Sequence, residues 1–598
     1  NLINPLSHLT YKEKKMAQAP PPSPIMSHLR EISAQVNEHV GMFIGYTTLA
    51  FVGLIVLLRL PSFFKQRIQF ARLPSQGYFF KNKIIRSSTK NQNLKFTPTW
   101  TLKSKTLKTL GGFRIPFIGL NVTKFSFMLI YMIILVILSL YQNTNSNTSI
   151  LNYKRFGFIA ISQLPLTFIL AMKNGPMSWL SGQGYEKLNF LHRFIGRMVF
   201  VFALVHGSLN LRLKQKLFNA IHITGPARPG LIALCALALI VFTGLRVFRN
   251  KFYQIFLICH IIGYLTAIVA LWKHVDATHP YLAVCIAAIC FDSICKLLKT
   301  RLKRATFTAM PAGLTRIEVA GVKDGWRAGQ HVFIRVLKGR HIFEKHPFTI
   351  ANAPNSTTPY GSTNNLLLVA KATGDFTKSI HRLAGLPRSV ELSDPKSLEK
   401  SKPINQVPSD DPVIPSETYF HVILDGPYGA FFNDMTRYET VLLCAGGSGF
   451  TYCMATIEDI VGEAAIHNGR NICKHICLVW SLREWQMIQS FSSLLEETIR
   501  IAKAHGLDVT FKLFLTAGRD DPIDNLLPNT LVEFNATRPD FNQIVNQLIE
   551  SKSGGGLGVG ACGPIGLLDN VSDAVNNLEP SKINKIGGVD LHLEKFGW

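Results

Sequence analysis

Seven apolar runs of about twenty residues mark the first half of this chain, at 42–60, 122–141, 153–172, 189–209, 230–248, 254–273 and 279–297, each long enough to cross a bilayer as an α-helix. From about 305 the pattern shortens and alternates. Leu314-Thr315-Arg316-Ile317-Glu318-Val319 and His331-Val332-Phe333-Ile334-Arg335-Val336, separated by Gly-rich turns, read as strands of a small antiparallel β-barrel. After a polar stretch at 390–416, rich in Ser, Pro, Asp and Lys and read as a flexible insertion, a different rhythm sets in. A buried strand at Thr440–Ala445 runs into glycines, and strands at 475–481, 508–516 and 556–561 alternate with helices such as 486–504, as in an α/β parallel sheet. The predicted fold class is a membrane α-helical bundle of about seven spans, then an antiparallel barrel, then an α/β domain.

Four histidines give the apolar half its chemistry. His192 and His206 lie fourteen positions apart in one run, and His260 and His274 lie fourteen apart in another. Fourteen residues of α-helix rise about 21 Å and return to within roughly 40° of the same face, so two such helices side by side offer two stacked His/His sites. That separation places one site near each surface of a bilayer. Bis-histidine ligation of two b-type haems is the reading this favours over four core histidines bonded to backbone. His279 competes with His274, but it lies about 100° off the face of His260 and precedes Pro280.

A net charge of +27 raises the question of nucleic acid, and the position of the charge answers it. Residues 61–121 carry Lys65, Arg67, Arg72, Lys81, Lys83 and Arg86 without an Asp or Glu, and the last span is followed by Lys296, Lys299, Arg301, Lys303 and Arg304. Basic residues beside spans mark the cytoplasmic side. The expected topology has the N-terminus outside, His192 and His260 at the inner level, His206 and His274 at the outer, and everything beyond 298 in the cytoplasm. The basic loop 209–228 dissents. No nucleic acid is expected as a partner; the lipid bilayer is. The ten cysteines fall in spans or in the second half, without a disulfide framework or a zinc pattern. No cleavable signal peptide is evident, and Met16 offers a more ordinary start than Asn1.

Short motifs occupy the second half in a fixed order. His346-Pro347-Phe348-Thr349 lies in the barrel, followed by Gly374-Asp375-Phe376-Thr377 and by the turn Asp425-Gly426-Pro427-Tyr428-Gly429. The strand at 440–445 enters Gly446-Gly447-Ser448-Gly449, a construction that brings backbone N–H groups and a helix N-terminus against a pyrophosphate. Strand ends at Trp480-Ser481-Leu482-Arg483 and Cys562-Gly563-Pro564 are where ligands sit in an open parallel sheet. Arg483 suits a 2′-phosphate and thus NADPH; the plain alternative is a surface arginine. The chain stops at Trp598, which either packs as an end or covers a flavin ring.

Four spaced histidines, then HPFT, GxxT, GPYG, GGSG, WSLR, CGP and a terminal aromatic, in that order over about 120–598, resemble the fungal ferric reductases of the flavocytochrome b and NADPH oxidase superfamily. The resemblance implies a ferredoxin-reductase-like cytosolic module. In it His346, Pro347, Phe348 and Thr349 hold FAD, and Thr377, with Gly374 in the same motif, lies near its pyrophosphate. Gly446, Gly447, Ser448, Gly449, Thr451, Arg483, Cys562, Gly563 and Pro564 form the NADPH side, and Trp598 lies against the isoalloxazine. Arg193 either pairs with a haem propionate or snorkels to the interface. Where many relatives have proline after the glycines, this chain has Tyr452 and Cys453.

The implied domains are a tail at 1–40, a leading span and basic loop at 41–121, a haem-binding domain at 122–298, an FAD barrel at 299–432 and an NADPH domain at 433–598. The implied activity is reduction of extracytoplasmic ferric chelates, siderophores or cupric ions at the plasma membrane or the vacuolar membrane. Asp276, His279 and the 209–228 loop are candidate acceptor contacts. A ferroxidase, a permease or a second copy are the expected partners. A superoxide-producing oxidase and an idle membrane scaffold are the alternatives.

Overall fold

The computed structural model describes residues 122–141, 152–181, 184–218, 225–360, 365–385, 418–429, 434–466, 472–516, 532–535, 537–551 and 554–595. The expected span at 42–60, the basic segment 61–121, the insertion at 390–416 and Trp598 lie outside these residues. The chain divides into two compact units, one built from Met128–Ile169 and Phe190–Ala288, the other from Leu170–Asn189 and the described residues from Ile289 onward.

The apolar half forms helices α1 (Val122–Leu140), α2 (Tyr153–Ser162), α3 (Leu164–Ala171), α4 (Pro176–Ser181), α5 (Tyr185–Phe218), α6 (Ala227–Thr243), α7 (Arg246–Lys251), α8 (Tyr253–Trp272) and α9 (His279–Lys299). The expectation of about seven spans is not met. Among the described residues, three segments are long and apolar enough to cross a membrane: Tyr185–Arg212, Tyr253–Trp272 and Asp276–Lys299. Lys124–Leu140 and Ala227–Thr243 are shorter apolar helices.

The run 153–172 breaks in two for a local reason. Pro165 has no N–H to give the carbonyl of Ile161, which is met instead by the N–H of Gln163. Buried Gln163 then satisfies the carbonyl of Ile159 through its side-chain amide at 2.8 Å and accepts from the Tyr131 hydroxyl at 3.1 Å. On α8 the apolar residues Ile255, Ile258, Ile262, Leu265 and Val269 are all exposed, at the three- and four-residue spacing of one helix face. That stripe is an apolar surface of the kind a membrane-crossing helix presents to lipid.

The other unit holds two sheets. Strands β1 (Arg301–Met310), β2 (Leu314–Ala320), β3 (His331–Val336), β4 (His346–Thr349), β5 (Asn365–Lys371) and β6 (Thr418–Tyr428) pair antiparallel in the order β4-β3-β6-β1-β2-β5. A bridge between Ile350 and Leu368 joins the two edges, so the sheet nearly closes on itself. Its interior is packed by Phe307, Ile317, Val332, Ile334, Leu366 and Leu368, and α10 (Asp375–Ala384) lies against β1 and β2.

The second sheet runs β7 (Thr440–Gly446), β8 (His475–Leu482), β9 (Asp508–Leu515), β10 (Val532–Asn535), β11 (Leu557–Gly563) and β12 (Val589–Lys595), all parallel, in the order β10-β9-β8-β7-β11-β12. Helices α11 (Phe450–Ile466), α12 (Ser492–Ala504), α13 (Phe541–Ser551), α14 (Ile565–Asn576) and α15 (Pro580–Ile586) complete it. Alternate residues of β7 serve opposite faces: Val441, Leu443 and Ala445 pack with α11 and α12, while Leu442 and Cys444 pack with α13 and α14. The helix expected over 486–504 is interrupted, Gln486–Gln489 being separate from α12.

The barrel and the parallel sheet share a buried seam. Glu458 of α11 is 2% exposed and accepts the N–H of Ala353 at 2.9 Å. Gly462, one turn on, lies where any side chain would strike the Thr357 carbonyl, and Tyr360 bonds Thr498 on α12. Burial pushes the Glu458 carboxyl up to about 8, against the lowering effect of the Ala353 N–H. The folded state therefore keeps this proton to higher pH than the unfolded chain does. Stability falls as pH rises from the ordinary value of 4.5 toward about 8 and is level beyond. Glu458→Gln keeps the acceptor without the charge, so thermal unfolding of the variant should give a flatter profile over that window. Parallel profiles for the two proteins would show that Glu458 does not titrate on unfolding.

Candidate functional site

In the membrane half the four histidines meet in two pairs. The ring centres of His192 on α5 and His260 on α8 are 6.2 Å apart, and those of His206 and His274 are 6.1 Å apart. A metal bonded at about 2 Å to one nitrogen of each ring, on the line between them, separates ring centres by about 6 Å. Three rings are fixed from behind by backbone carbonyls that accept from Nδ1: Thr167 for His192 at 2.9 Å, Tyr153 for His206 at 2.8 Å and Pro226 for His274 at 2.6 Å. That bond leaves Nε2 as the nitrogen that could bind a metal. Nδ1 of His260 is buried without a hydrogen-bond partner.

Two glycines make room for the rings of His206 and His274. A Cβ on Gly157 would lie 2.8 Å from Nδ1 of His206, and one on Gly230 would lie 2.7 Å from Cε1 of His274. Among the described residues no three His, Cys, Asp or Glu gather as a metal site. Each pair would offer two imidazole nitrogens to one metal, a donor set that fits a haem iron. His279 lies apart from these pairs: it stacks on Trp272 at 4.3 Å and approaches Asp276 at 3.9 Å. Arg193 is exposed on α5.

In the other unit a cleft of about 950 Å³ opens between the barrel and the parallel sheet. Barrel strand β4 contributes Pro347, Phe348 and Thr349, and Thr377 joins them from the first turn of α10. Thr377 Oγ1 also accepts the N–H of Gly374 at 3.0 Å, so Gly374 is the cap of that helix. His346 stands outside the lining, its ring stacked on Phe376 at 3.9 Å.

Across the cleft, β7 delivers Gly446, Gly447 and Ser448, and Thr451 opens α11 with its hydroxyl bonded to the Ser448 carbonyl at 3.2 Å. Gly449 is buried in the same turn. The strand order makes β7 and β11 neighbours where connections diverge to the two sides of the sheet, the place at which such sheets bind ligands. Gly446 and Gly563 touch there by backbone: a Cβ on Gly563 would lie 3.0 Å from Cα of Gly446, and one on Gly446 would lie 2.6 Å from Cδ of Pro564. Cys562 and Pro564 line the cleft, as does exposed Arg483 beyond β8. Burial holds the Cys562 thiol well above its ordinary range, so it is protonated and a poor nucleophile.

Comparison with known proteins matches this layout piece by piece. Residues 156–271 match the family described as ferric reductase like transmembrane component, 300–431 an FAD-binding domain, and 438–576 the ferric reductase NAD binding domain. The chain belongs to the ferric reductase family. It is 24% identical over 459 residues to ferric reductase transmembrane component 1 of Schizosaccharomyces pombe, covering 72% of this chain and 78% of that one. It is 24% identical over 454 residues to ferric/cupric reductase transmembrane component 2 of the same organism, covering 71% and 77%. A third relative, ferric/cupric reductase transmembrane component 1 of Candida albicans, is 24% identical over 484 residues, covering 74% and 57%. The chain is a membrane-associated oxidoreductase with cofactor domains for FAD and a nicotinamide dinucleotide.

The ferric reductase cleft also holds residues that sequence reasoning passed over. Arg538, Lys371 and Lys595 add cations to its rim, with Lys371 paired to Glu484 at 3.1 Å. His331 and Glu594 line its inner wall. Burial lowers His331 to about 4, leaving it neutral. Burial alone would raise the Glu594 carboxyl, but His592, bonded at 2.5 Å, together with Lys187 and His331 holds it down to about 2. The signal was present in the alternation of His592 and Glu594 along the last strand, ionisable groups where a wholly buried strand would have none. If Arg483 reads a 2′-phosphate, Arg483→Ala should raise KM for NADPH by about ten- to a hundredfold, the worth of a charge-assisted hydrogen bond, and leave KM for NADH unchanged. An equal rise for both cofactors would assign Arg483 to the part they share.

Proposed function

We propose that this ferric reductase moves electrons from cytosolic NADPH through FAD and two b-type haems to ferric chelates, or to cupric ions, on the far side of the membrane. The paired imidazoles at 6.2 and 6.1 Å carry this reading. The family matches supply the flavin and nucleotide domains, and the names of the relatives supply the acceptor. When bound, the flavin supplies conversion of a two-electron hydride into single electrons, and the haems supply a one-electron path.

The residues of the chain do the holding. His192 and His260 are the inner ligands, His206 and His274 the outer, and the carbonyls of Thr167, Tyr153 and Pro226 fix the tautomer of three of them. With two histidines holding each haem, no coordination position would be left for the acceptor, which would receive electrons without bonding to iron. His346–Thr349 and Thr377 would hold FAD, and Gly446–Gly449, Thr451, Arg483 and Cys562–Pro564 would hold NADPH, with Trp598 over the flavin. The matches at 156–271, 300–431 and 438–576 support domains at 122–298, 299–432 and 433–598. We place the protein in the plasma membrane, with the vacuolar membrane as the alternative, and the flavin and nucleotide half in the cytoplasm. Basic residues after the last span support that orientation.

Sealed vesicles with enclosed NADPH, given a membrane-impermeant ferric chelate and superoxide dismutase, test the reading. Reduction should persist with dismutase and fall to the background of empty vesicles in His206→Ala and in His274→Ala, while NADPH-driven dye reduction on the enclosed side continues. Loss of chelate reduction on adding dismutase would instead make oxygen the acceptor.

A further inference from the structure

The first turn of α5 reaches the cleft. Leu170–Asn189 belongs to the same compact unit as the two sheets, so α5 starts within that unit and leaves it after Asn189. Tyr185 packs its ring with centres 6.2 Å from those of His331 and Tyr428 on the barrel. Two residues on, Lys187 crosses to the parallel sheet: its Nζ is 3.4 Å from Nδ1 of His592 and 3.8 Å from the Glu594 carboxylate, both on β12. Glu186 keeps its carboxyl oxygens buried and bonds to no other described residue, so the tie to β12 runs through Lys187.

The bonds from Lys187 run in one direction. An ammonium group only donates, so Nδ1 of His592 accepts from it and the ring proton sits on Nε2. Nε2 then donates to Oε1 of Glu594 at 2.5 Å. The Tyr452 ring lies nearly parallel to this imidazole, 6.0 Å between centres. His592 and Glu594 are two apart on β12 and share a face, and Glu594 is in register with Cys562 of β11, where both line the cleft. His331, which helps to hold the Glu594 charge, is in register with Thr349 of β4. Ammonium, imidazole and carboxylate therefore form a chain that ends on the wall of the cleft whose barrel side carries Phe348 and Thr349.

We propose that Lys187 is a positioning residue for the flavin: it orients Glu594 through His592 and balances the charge of that carboxylate at the cleft wall, so that the two together set how readily the flavin is reduced. A hydride brings two electrons and one proton, so a ring that accepts it from NADPH gains one negative charge and NADP+ is left. A nearby carboxylate without its counter-ion opposes that gain, an ammonium without its carboxylate favours it, and the pair largely cancels. This rests on FAD occupying the β4 side of the cleft, as proposed above, and is independent of which acceptor is reduced.

The full-length protein with its bound flavin, titrated spectroelectrochemically with the haem bands fitted separately, tests it. At a fixed potential Lys187→Met should lower the ratio of reduced to oxidised flavin by about tenfold, and Glu594→Gln should raise it by a similar factor, as one uncompensated charge near the ring would. Lys187→Arg, and Lys187→Met combined with Glu594→Gln, both keep the charge balanced and should stay within about twofold of the parent. Lys187→Gln, read in the same way, replaces Lys187→Met if that variant does not retain FAD. An unmoved ratio in both single variants, shifts of the same sign in the two, or a double variant further from the parent than either single overturns the proposal. So does Lys187→Arg shifting as far as Lys187→Met, which would make the lysine a matter of packing and not of charge. A parent protein that binds no FAD would instead remove the flavin reading on which the proposal rests.

Discussion

The membrane half is organised around two pairs of imidazoles, one pair 6.2 Å and the other 6.1 Å between ring centres, carried at matching positions on α5 and α8. A straight helix returns to the same face after fourteen residues, so once one pair is placed the second follows about 21 Å further along. The surrounding sequence serves that requirement. Three carbonyls orient rings, and Gly157 and Gly230 lack side chains, so that His206 and His274 can stand where they do. The break between α2 and α3 is tolerated because the Gln163 N–H turns to the Ile161 carbonyl and its side-chain amide takes over the carbonyl of Ile159. In a bilayer an unmet carbonyl would otherwise cost several kcal/mol.

A different constraint governs the cleft. Glycine at Gly446 and at Gly563 lets two strand ends approach backbone to backbone, and the cleft widens beyond them because one chain turns into α11 and the other into α14. Opposite, the barrel brings Pro347 to Thr349 on an edge strand, where a side chain can face a ligand without disturbing the interior. The buried seam at Glu458, Gly462 and Tyr360 holds the two walls together. The cleft is therefore set by a rigid joint and not by a loose loop. His331 and Glu594 at its inner wall show how one cavity keeps a histidine neutral and a carboxylate charged: desolvation decides the first, and three neighbouring bases decide the second.

Much of this was legible in the residues. Period-two alternation announced the barrel strands, apolar runs bounded by glycine announced the parallel sheet, and equal histidine spacings gave two faces on two helices. The count of spans was not legible in the same way. Hydropathy records how apolar a stretch is, whereas a helix also needs every backbone donor, and Pro165 withholds one in the middle of a run that reads as continuous. The interruption between Gln489 and Ser492 escaped for a different reason, since no breaker residue marks it.

Local spacing could fix which histidines share a helix face because helical geometry is set by the backbone alone. It set His279 off the face that His260 and His274 share, but not that His279 stacks on Trp272, because that depends on where α8 ends and α9 begins. Nor could it bring Gly446 beside Gly563, or set Glu594 and His331 on one wall, since strand order is decided by how helices cover the two faces of a sheet. Contacts between residues near in sequence were written in the chain; contacts across the sheet and between helices waited for the packing that makes them.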